Sequence, residues 1–478
     1  MTNVLSALDA TFLELEEQND SALMSIGGVM VFDSLPGGGR PRYDDVCDAI
    51  AARLIRLPRY TQRLSSPRMS RLSWPRWIDD DQFDVRGHVK HVALPAPGGQ
   101  AELCAWAADF YSHRLDRTRP LWEMALIEGL PDGRWALAHK THHCLVDGVG
   151  SVDVAYLILD LEATPTEVAP PVRPSASSAG HEGRALPFIP EPIVQSAAAG
   201  VQAVRAGLGA ARHPREALKH SLSLAELLVR DELIAAPHSS INGEIGSSRR
   251  FGVVTVPLAD LKAIQAELGG SLNDVVLAAC TSGLRTLLRE RGERPPAGLR
   301  AMVPQNIRAA SEHLALGNRI SSLFVELPVD EPMAHARHRK IVASTRRLKR
   351  SGAGAGASTL LDLAALAPPV LHAVVARTLF ANRLFNVTIT NVPGPQIPLY
   401  ALGAQLREVY PVVPLAADHA VGIAIFSYDG LVTFGVLTDA DSTGDIATLI
   451  EGIEQGIEDL RGLARPPARR QRRREARI

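Results

Sequence analysis

Cysteine is scarce in this chain. Four residues in 478, Cys47, Cys104, Cys144 and Cys280, are widely scattered and include no CxxC pair. That argues against a disulfide scaffold or a paired-cysteine zinc module and fits a reducing compartment. Long apolar runs are also missing: no stretch of ~18 uncharged apolar residues occurs, so a spanning helix is not expected. The nearest approach, 359–381, is interrupted by Asp362, Pro368, Pro369, His372 and Arg377. It reads as one or two buried or interfacial helices. The first twenty residues carry acidic side chains and no basic one, the reverse of a secretory leader. Lysine is rare as well, 6 against 45 arginines, which reflects coding composition rather than a nucleic-acid partner.

What is present suits a globular protein. The chain is 46% hydrophobic and 22% charged, enough to bury a sizeable core. Its length allows about three domains or two large ones. Net charge is −1, yet residues 461–478 hold eight arginines and one glutamate, leaving the remainder strongly acidic. This tail is either a solvated end or a contact for anionic headgroups.

Hydrophobic periodicity divides the chain into two mixed αβ regions, residues 1–165 and 246–462, with a basic tail over 463–478. Strands are expected at 29–35, at PLWEMALIEGL (120–130) and at RWALAHKTHH (134–143), the last two joined across Pro-Asp-Gly. Helices are expected at 43–56, 101–114 and 148–162. Seven prolines between Pro165 and Pro192 mark the strongest boundary, and 166–245 reads as a proline-rich, then helical connector. The second region repeats the theme, with a helix opening at Asn273 and Asp274 and a hairpin through Tyr428-Asp429-Gly430. The run Asn391-Val392-Pro393-Gly394-Pro395 reads as a rigid turn closing a strand.

One segment carries chemistry: His142-His143-Cys144-Leu145-Val146-Asp147-Gly148, expected where a strand gives way to a helix. A histidine there can act as a general base near neutral pH. Aspartate four residues on can brace the loop, and glycine permits close approach of the backbone. No enzyme nucleophile is needed if an acceptor brings its own hydroxyl to an activated carbonyl. The bland reading is a structural histidine pair. Zinc ligation by His142, His143, Cys144 and Asp147 is disfavoured by spacing, since neither HExxH nor paired cysteines occur. Cys144 could be a nucleophile, but a buried inert thiol is the simpler reading. His113, His139, His313, His372 and His419 fit no motif.

HHCLVDG resembles the HHxxxDG motif of coenzyme A-dependent acyltransferases. LSALDATFLELE near the start, LDRTRPLWEM at 115–124, SLNDVVLA at 271–278, LGNRISSLFVELP at 316–328 and NVPGP at 391–395 narrow the likeness. Together they resemble the bacterial wax ester synthase / diacylglycerol acyltransferase family over nearly the whole chain. VPQNIR (303–308) departs from that pattern, which puts Asn306 and Arg308 in doubt as binding residues. The resemblance implies two chloramphenicol-acetyltransferase-like mixed-sheet α/β lobes joined by a helical linker. It implies His143 as general base, His142 shaping the site, Asp147 bracing the loop through an arginine, and Gly148 turning beside the substrate channel. Asn273 would polarise the thioester carbonyl, unless it is only a helix cap. Asp274, Trp122, Asn391, Pro393 and Gly394 would line or shape the substrate channel, although Asp274 and Trp122 also read as helix-start and core residues.

The expected activity is esterification of a lipid alcohol by acyl-CoA, with diacylglycerol as the first choice of acceptor and a long-chain alcohol as the second. Acyl-CoA would serve as co-substrate, with no resident cofactor and no metal. The expected place is the cytoplasm, with peripheral contact at the inner membrane or lipid droplets. A carrier-protein-fed condensation enzyme and a non-catalytic lipid-binding protein are the competing readings.

Overall fold

The computed structural model describes residues 4–54, 57–65, 75–145, 159–164, 236–306, 320–351, 384–444 and 446–464. The apolar segments of the first part form β1 (Ser25–Phe32), β4 (Val89–Ala93), β5 (Trp122–Glu128) and β6 (Trp135–His142), beside a small ribbon of β2 (Gln62–Leu64) and β3 (Trp77–Asp79). β5 and β6 pair antiparallel from Trp122↔Thr141 to Ile127↔Ala136. The Pro131–Gly133 connection works because Asp132 and Gly133 take positive φ of 58° and 70°. Helices α1 (Ala7–Gln18), α2 (Tyr43–Leu54) and α3 (Gln100–Tyr111) cover this sheet. Its core includes Phe32 stacked on Trp135 at 4.3 Å.

The second part forms β7 (Arg249–Pro257), β8 (Leu299–Asn306), β9 (Ile320–Leu327), β10 (Val387–Pro393), β11 (Tyr400–Ala401), β12 (Ala404–Val412), β13 (Val421–Tyr428) and β14 (Leu431–Asp439). Six of these make a mixed sheet in the order β7-β14-β13-β10-β8-β9, in which β8, β10 and β13 run parallel. The β13–β14 turn holds only Asp429 and Gly430, at φ 42° and 81°, as the hairpin reading required. Helices α4 (Leu258–Leu268), α5 (Leu272–Glu290), α6 (Ala334–Ser351), the one-turn α7 (Ala440–Thr443) and α8 (Ile446–Ala464) complete this half. α5 and α8 cross closely because Gly283 and Gly452 leave no side chain between them.

A linear division at residue 246 does not describe the sheets. β11 and β12, from the stretch assigned to the second lobe, complete the first sheet in the order β11-β12-β1-β6-β5-β4. β12 pairs antiparallel with β1 from Gly27↔Val412. It also packs on β13 and β14, where Gly435 sits against the Pro411 carbonyl. The helix expected over 148–162 is not continued at its described end: Asp160 bridges Tyr400 and pairs with Arg53 at 2.7 Å. Residues 146–158, the connector over 165–235, the apolar stretch 359–381 and the tail beyond 464 lie outside the described residues.

Candidate active site

β6 ends at His142, and the chain turns through His143, Cys144 and Leu145. His142 is fully buried. Its Nδ1 accepts the backbone N–H of Cys144 at 3.1 Å, which leaves Nε2 as the protonated nitrogen. Nε2 donates to Glu16 Oε2 at 3.2 Å. Arg117 donates to the same oxygen at 2.8 Å and also reaches Glu17 and the Leu13 carbonyl. Burial would raise the Glu16 carboxyl, but the His142 hydrogen bond and the Arg117 guanidinium outweigh it and hold the pKa at about 2.

His143 is half-buried, and its backbone N–H donates to the Met24 carbonyl at 2.8 Å. Its ring lies flat on Phe12, with centroids 3.9 Å apart and planes 11° from parallel. Phe12 and Glu16 are four residues apart on α1, hence on one helical face. One helix therefore orients both histidines. Phe12, Leu15, Ala22 and Met24 form an apolar cluster that Ala417 of the second half joins, so both halves of the chain contact this corner.

Cys144 is buried, and loss of solvent pushes its thiol well above the ordinary range, the state of an unreactive group. Asp147 and Gly148 lie outside the described residues. Among the described residues no cluster of His, Cys, Asp and Glu is arranged to hold a metal ion.

In the second half, α5 starts from Ser271. Its hydroxyl accepts the Asp274 N–H, while Asp274 Oδ2 accepts from the Ser271 N–H at 2.7 Å. Thr345 on α6 donates to the other carboxylate oxygen at 2.7 Å. Asp274, expected among the substrate-binding residues, is thus buried and engaged in holding the helix start. Ser271 supplies the cap, so Asn273 is not needed for that task. Its Oδ1 instead accepts from Asn391 Nδ2 at 3.2 Å.

Asn391, Val392 and Pro393 are not a turn: they continue β10 alongside β13, with Pro393 opposite Ser427. Among the described residues β10 pairs with β8 at Val387 and Thr388 and no strand pairs with its far end on that side, which tolerates a residue without N–H. The turn begins at Gly394, where a Cβ would strike the Phe426 ring and the Ser427 carbonyl. Trp122 belongs to the core, its indole N–H donating to the Tyr60 carbonyl at 2.7 Å and its ring stacked on His88.

Glu16, Phe12 and Arg117 were not singled out from the sequence. The available signal was the four-residue spacing of Phe12 and Glu16 on an acidic, amphipathic first helix.

Two six-stranded sheets tied by an exchanged strand, with a histidine pair closing a strand of the first, define a two-lobed acyltransferase. The fold is shared with the starter condensation domain of rhizomide synthetase, solved with C8-CoA and Leu-SNAC (TM-score 0.59, 15% identity, 97% of this chain and 94% of that one). The first condensation domain of the CDA synthetase is similar too (TM-score 0.60, 16% identity). These two likenesses concern the fold alone.

Finer comparisons narrow the class. A model of the wax ester synthase/diacylglycerol acyltransferase catalytic domain matches residues 5–276, and one of the family's C-terminal domain matches 316–461. A probable diacylglycerol O-acyltransferase of Mycobacterium tuberculosis is 33% identical over 464 residues, covering 96% of each chain. The wax ester synthase/diacylglycerol acyltransferase from Marinobacter aquaeolei VT8 superposes with a TM-score of 0.66 at 28% identity, covering 96% of this chain and 99% of that one. The chain belongs to the wax ester synthase/diacylglycerol acyltransferase family and is an acyl-CoA-dependent acyltransferase.

Proposed function

We propose that the protein esterifies the free hydroxyl of diacylglycerol with the acyl group of acyl-CoA, His143 serving as general base. The observation that carries this reading is the unequal treatment of the two histidines. His142 is fully buried and fixed between Glu16 and the Cys144 N–H, while the ring of His143 lies on Phe12 and stays half-buried at the end of β6. His143 takes the hydroxyl proton as the acceptor oxygen attacks the thioester carbonyl. The tetrahedral intermediate then collapses, the carbon–sulfur bond breaks, and the imidazolium returns the proton to the departing thiolate. Asn273, held by Asn391, polarises the carbonyl oxygen as charge develops. Transfer is direct, since the only thiol in the motif is buried and unreactive, and acyl-CoA is a co-substrate rather than a resident cofactor.

Among the described residues no helix is long and apolar enough to cross a membrane. In this reading the diacylglycerol acceptor is met peripherally, from the cytoplasm, at a membrane or droplet surface.

The test offers palmitoyl-CoA with dioleoylglycerol or with hexadecanol, follows thiol release, and identifies the lipid product for wild type and His143→Ala. Triacylglycerol from wild type, with kcat lowered ~10²–10⁴-fold in the variant, is the expected result. Ester made equally well by His143→Ala refutes the base. Product only with hexadecanol refutes the acceptor.

A further inference from the structure

α6 carries seven cationic side chains and no acidic one. Its two faces differ. On the inner face Arg337, His338, Ile341, Ser344 and Thr345 are buried, and Thr345 donates to Asp274 at the start of α5. Gly270, just before that start, sits close against Val342. The helix is thereby seated on the turn that bears Asn273. On the outer face Arg339, Arg346, Arg347, Lys349 and Arg350 are exposed.

Ala343, Arg346, Arg347 and Arg350 follow the i, i+3, i+4, i+7 spacing of one helical stripe. They face a shallow, solvent-open hollow of about 610 Å³. Complementing the negative end of the helix accounts for cations in the last turn, at Lys349 and Arg350. It does not account for Arg346 and Arg347 a turn earlier, grouped around a small alanine that leaves space between guanidiniums. Arg347 stands 3.9 Å from Glu326 with both side chains largely in solvent, and no carboxylate among the described residues pairs with Arg346 or Arg350. Such a set suits a ligand with several phosphates, because the planar guanidinium grips phosphate through two parallel hydrogen bonds.

We propose that Arg346, Arg347 and Arg350 bind the 3′-phosphate and diphosphate of the CoA nucleotide, and that the pantetheine arm runs from this face past the start of α5 toward Asn273. The inference rests on acyl-CoA as the donor and places its polyanionic end. The junction between α6 and α5 supplies the continuity: Thr345, which donates to Asp274 at the start of α5, is followed directly by Arg346, so the arginine stripe begins one residue from the contact with the turn that bears Asn273.

The experiment uses the full chain and the triple variant R346A/R347A/R350A, with circular dichroism to check that the fold is kept. Binding of 3′-phosphoadenosine 5′-diphosphate is measured by calorimetry, and KM is compared for palmitoyl-CoA and palmitoyl-pantetheine, which lacks the nucleotide. The expected result is nucleotide binding by wild type only, and a KM for palmitoyl-CoA raised at least about tenfold in the variant. With palmitoyl-pantetheine the difference between the two proteins disappears. An unchanged KM for palmitoyl-CoA in an active variant overturns the proposal. So does a variant that still binds nucleotide but no longer sediments with phosphatidylglycerol vesicles, which makes the stripe a lipid-docking face. Wild type that binds nucleotide yet transfers no acyl group fails the proposed function and leaves this subsite standing.

Discussion

Replacing Glu16 with glutamine tests the claim that α1 orients the two histidines of the motif. Glu16 is 1% exposed and carries two charge-assisted or neutral donors, His142 Nε2 and Arg117 Nη2, on one oxygen. Its pKa falls from 4.5 to about 2 on folding. That difference corresponds to roughly 3 kcal/mol of stability at neutral pH. Because the folded pKa is depressed, the contribution is complete above about pH 4.5 and is lost as pH falls toward 2. Glutamine keeps an acceptor for His142 but cannot ionise. Glu16→Gln should therefore unfold about 2–3 kcal/mol more easily than wild type at pH 7, with the gap closing near pH 2. Denaturant titrations at a series of pH values read this directly. Catalysis should suffer separately: a loosened His142 lets the neighbouring ring drift, which lowers kcat about tenfold to a hundredfold while KM for palmitoyl-CoA stays near wild type. A pH-independent gap in stability, or a kcat equal to wild type, would refute the reasoning.

Other outcomes follow from the same geometry. Asn273→Ala should lower kcat about 10–100-fold without moving the unfolding midpoint, because Ser271 and Asp274 still hold the start of α5; a large loss of stability would reassign Asn273 to the fold. Cys144→Ala should stay active within a few-fold, and iodoacetamide should leave Cys144 unmodified in the folded protein at pH 7; inactivation by either would revive a covalent thiol mechanism. Gly435→Ala places a methyl against the Pro411 carbonyl between the two sheets and should cost about 2–4 kcal/mol in denaturant unfolding, whereas Gly269→Ala, which meets open space, should cost only the strain of its positive φ.

Local order was legible in the sequence to the extent that it is locally determined. The β5–β6 hairpin shows in an apolar pattern broken by Pro-Asp-Gly, the β13–β14 turn in Asp-Gly, and the start of α5 in Asn273-Asp274, although the cap is Ser271 rather than Asn273. The histidine motif and its place at the end of a strand were equally visible. Long-range partnerships left no such trace. Glu16 and His142 are 126 residues apart, and nothing in the spacing around either one announces the other. The same holds for the extended Asn391-Val392-Pro393, where proline signals a turn unless one knows that β8 stops pairing two residues into β10. The placement of β12 in the first sheet depends on which edge is left open once both halves have formed, a property of the assembled sheets rather than of residues 404–412.

That exchanged strand also sets a schedule for the nascent chain. β1 reaches the ribosome exit early, with β6 soon available on one side. The strand that covers its other side, β12, is made only after the connector and most of the second half. At ~5–20 residues per second, the first sheet must wait on the order of tens of seconds with an open hydrogen-bonding edge along Gly27–Phe32. During synthesis this edge is where another nascent copy would add a strand, so ribosome-associated chaperones matter most for this protein between the emergence of β6 and that of β12.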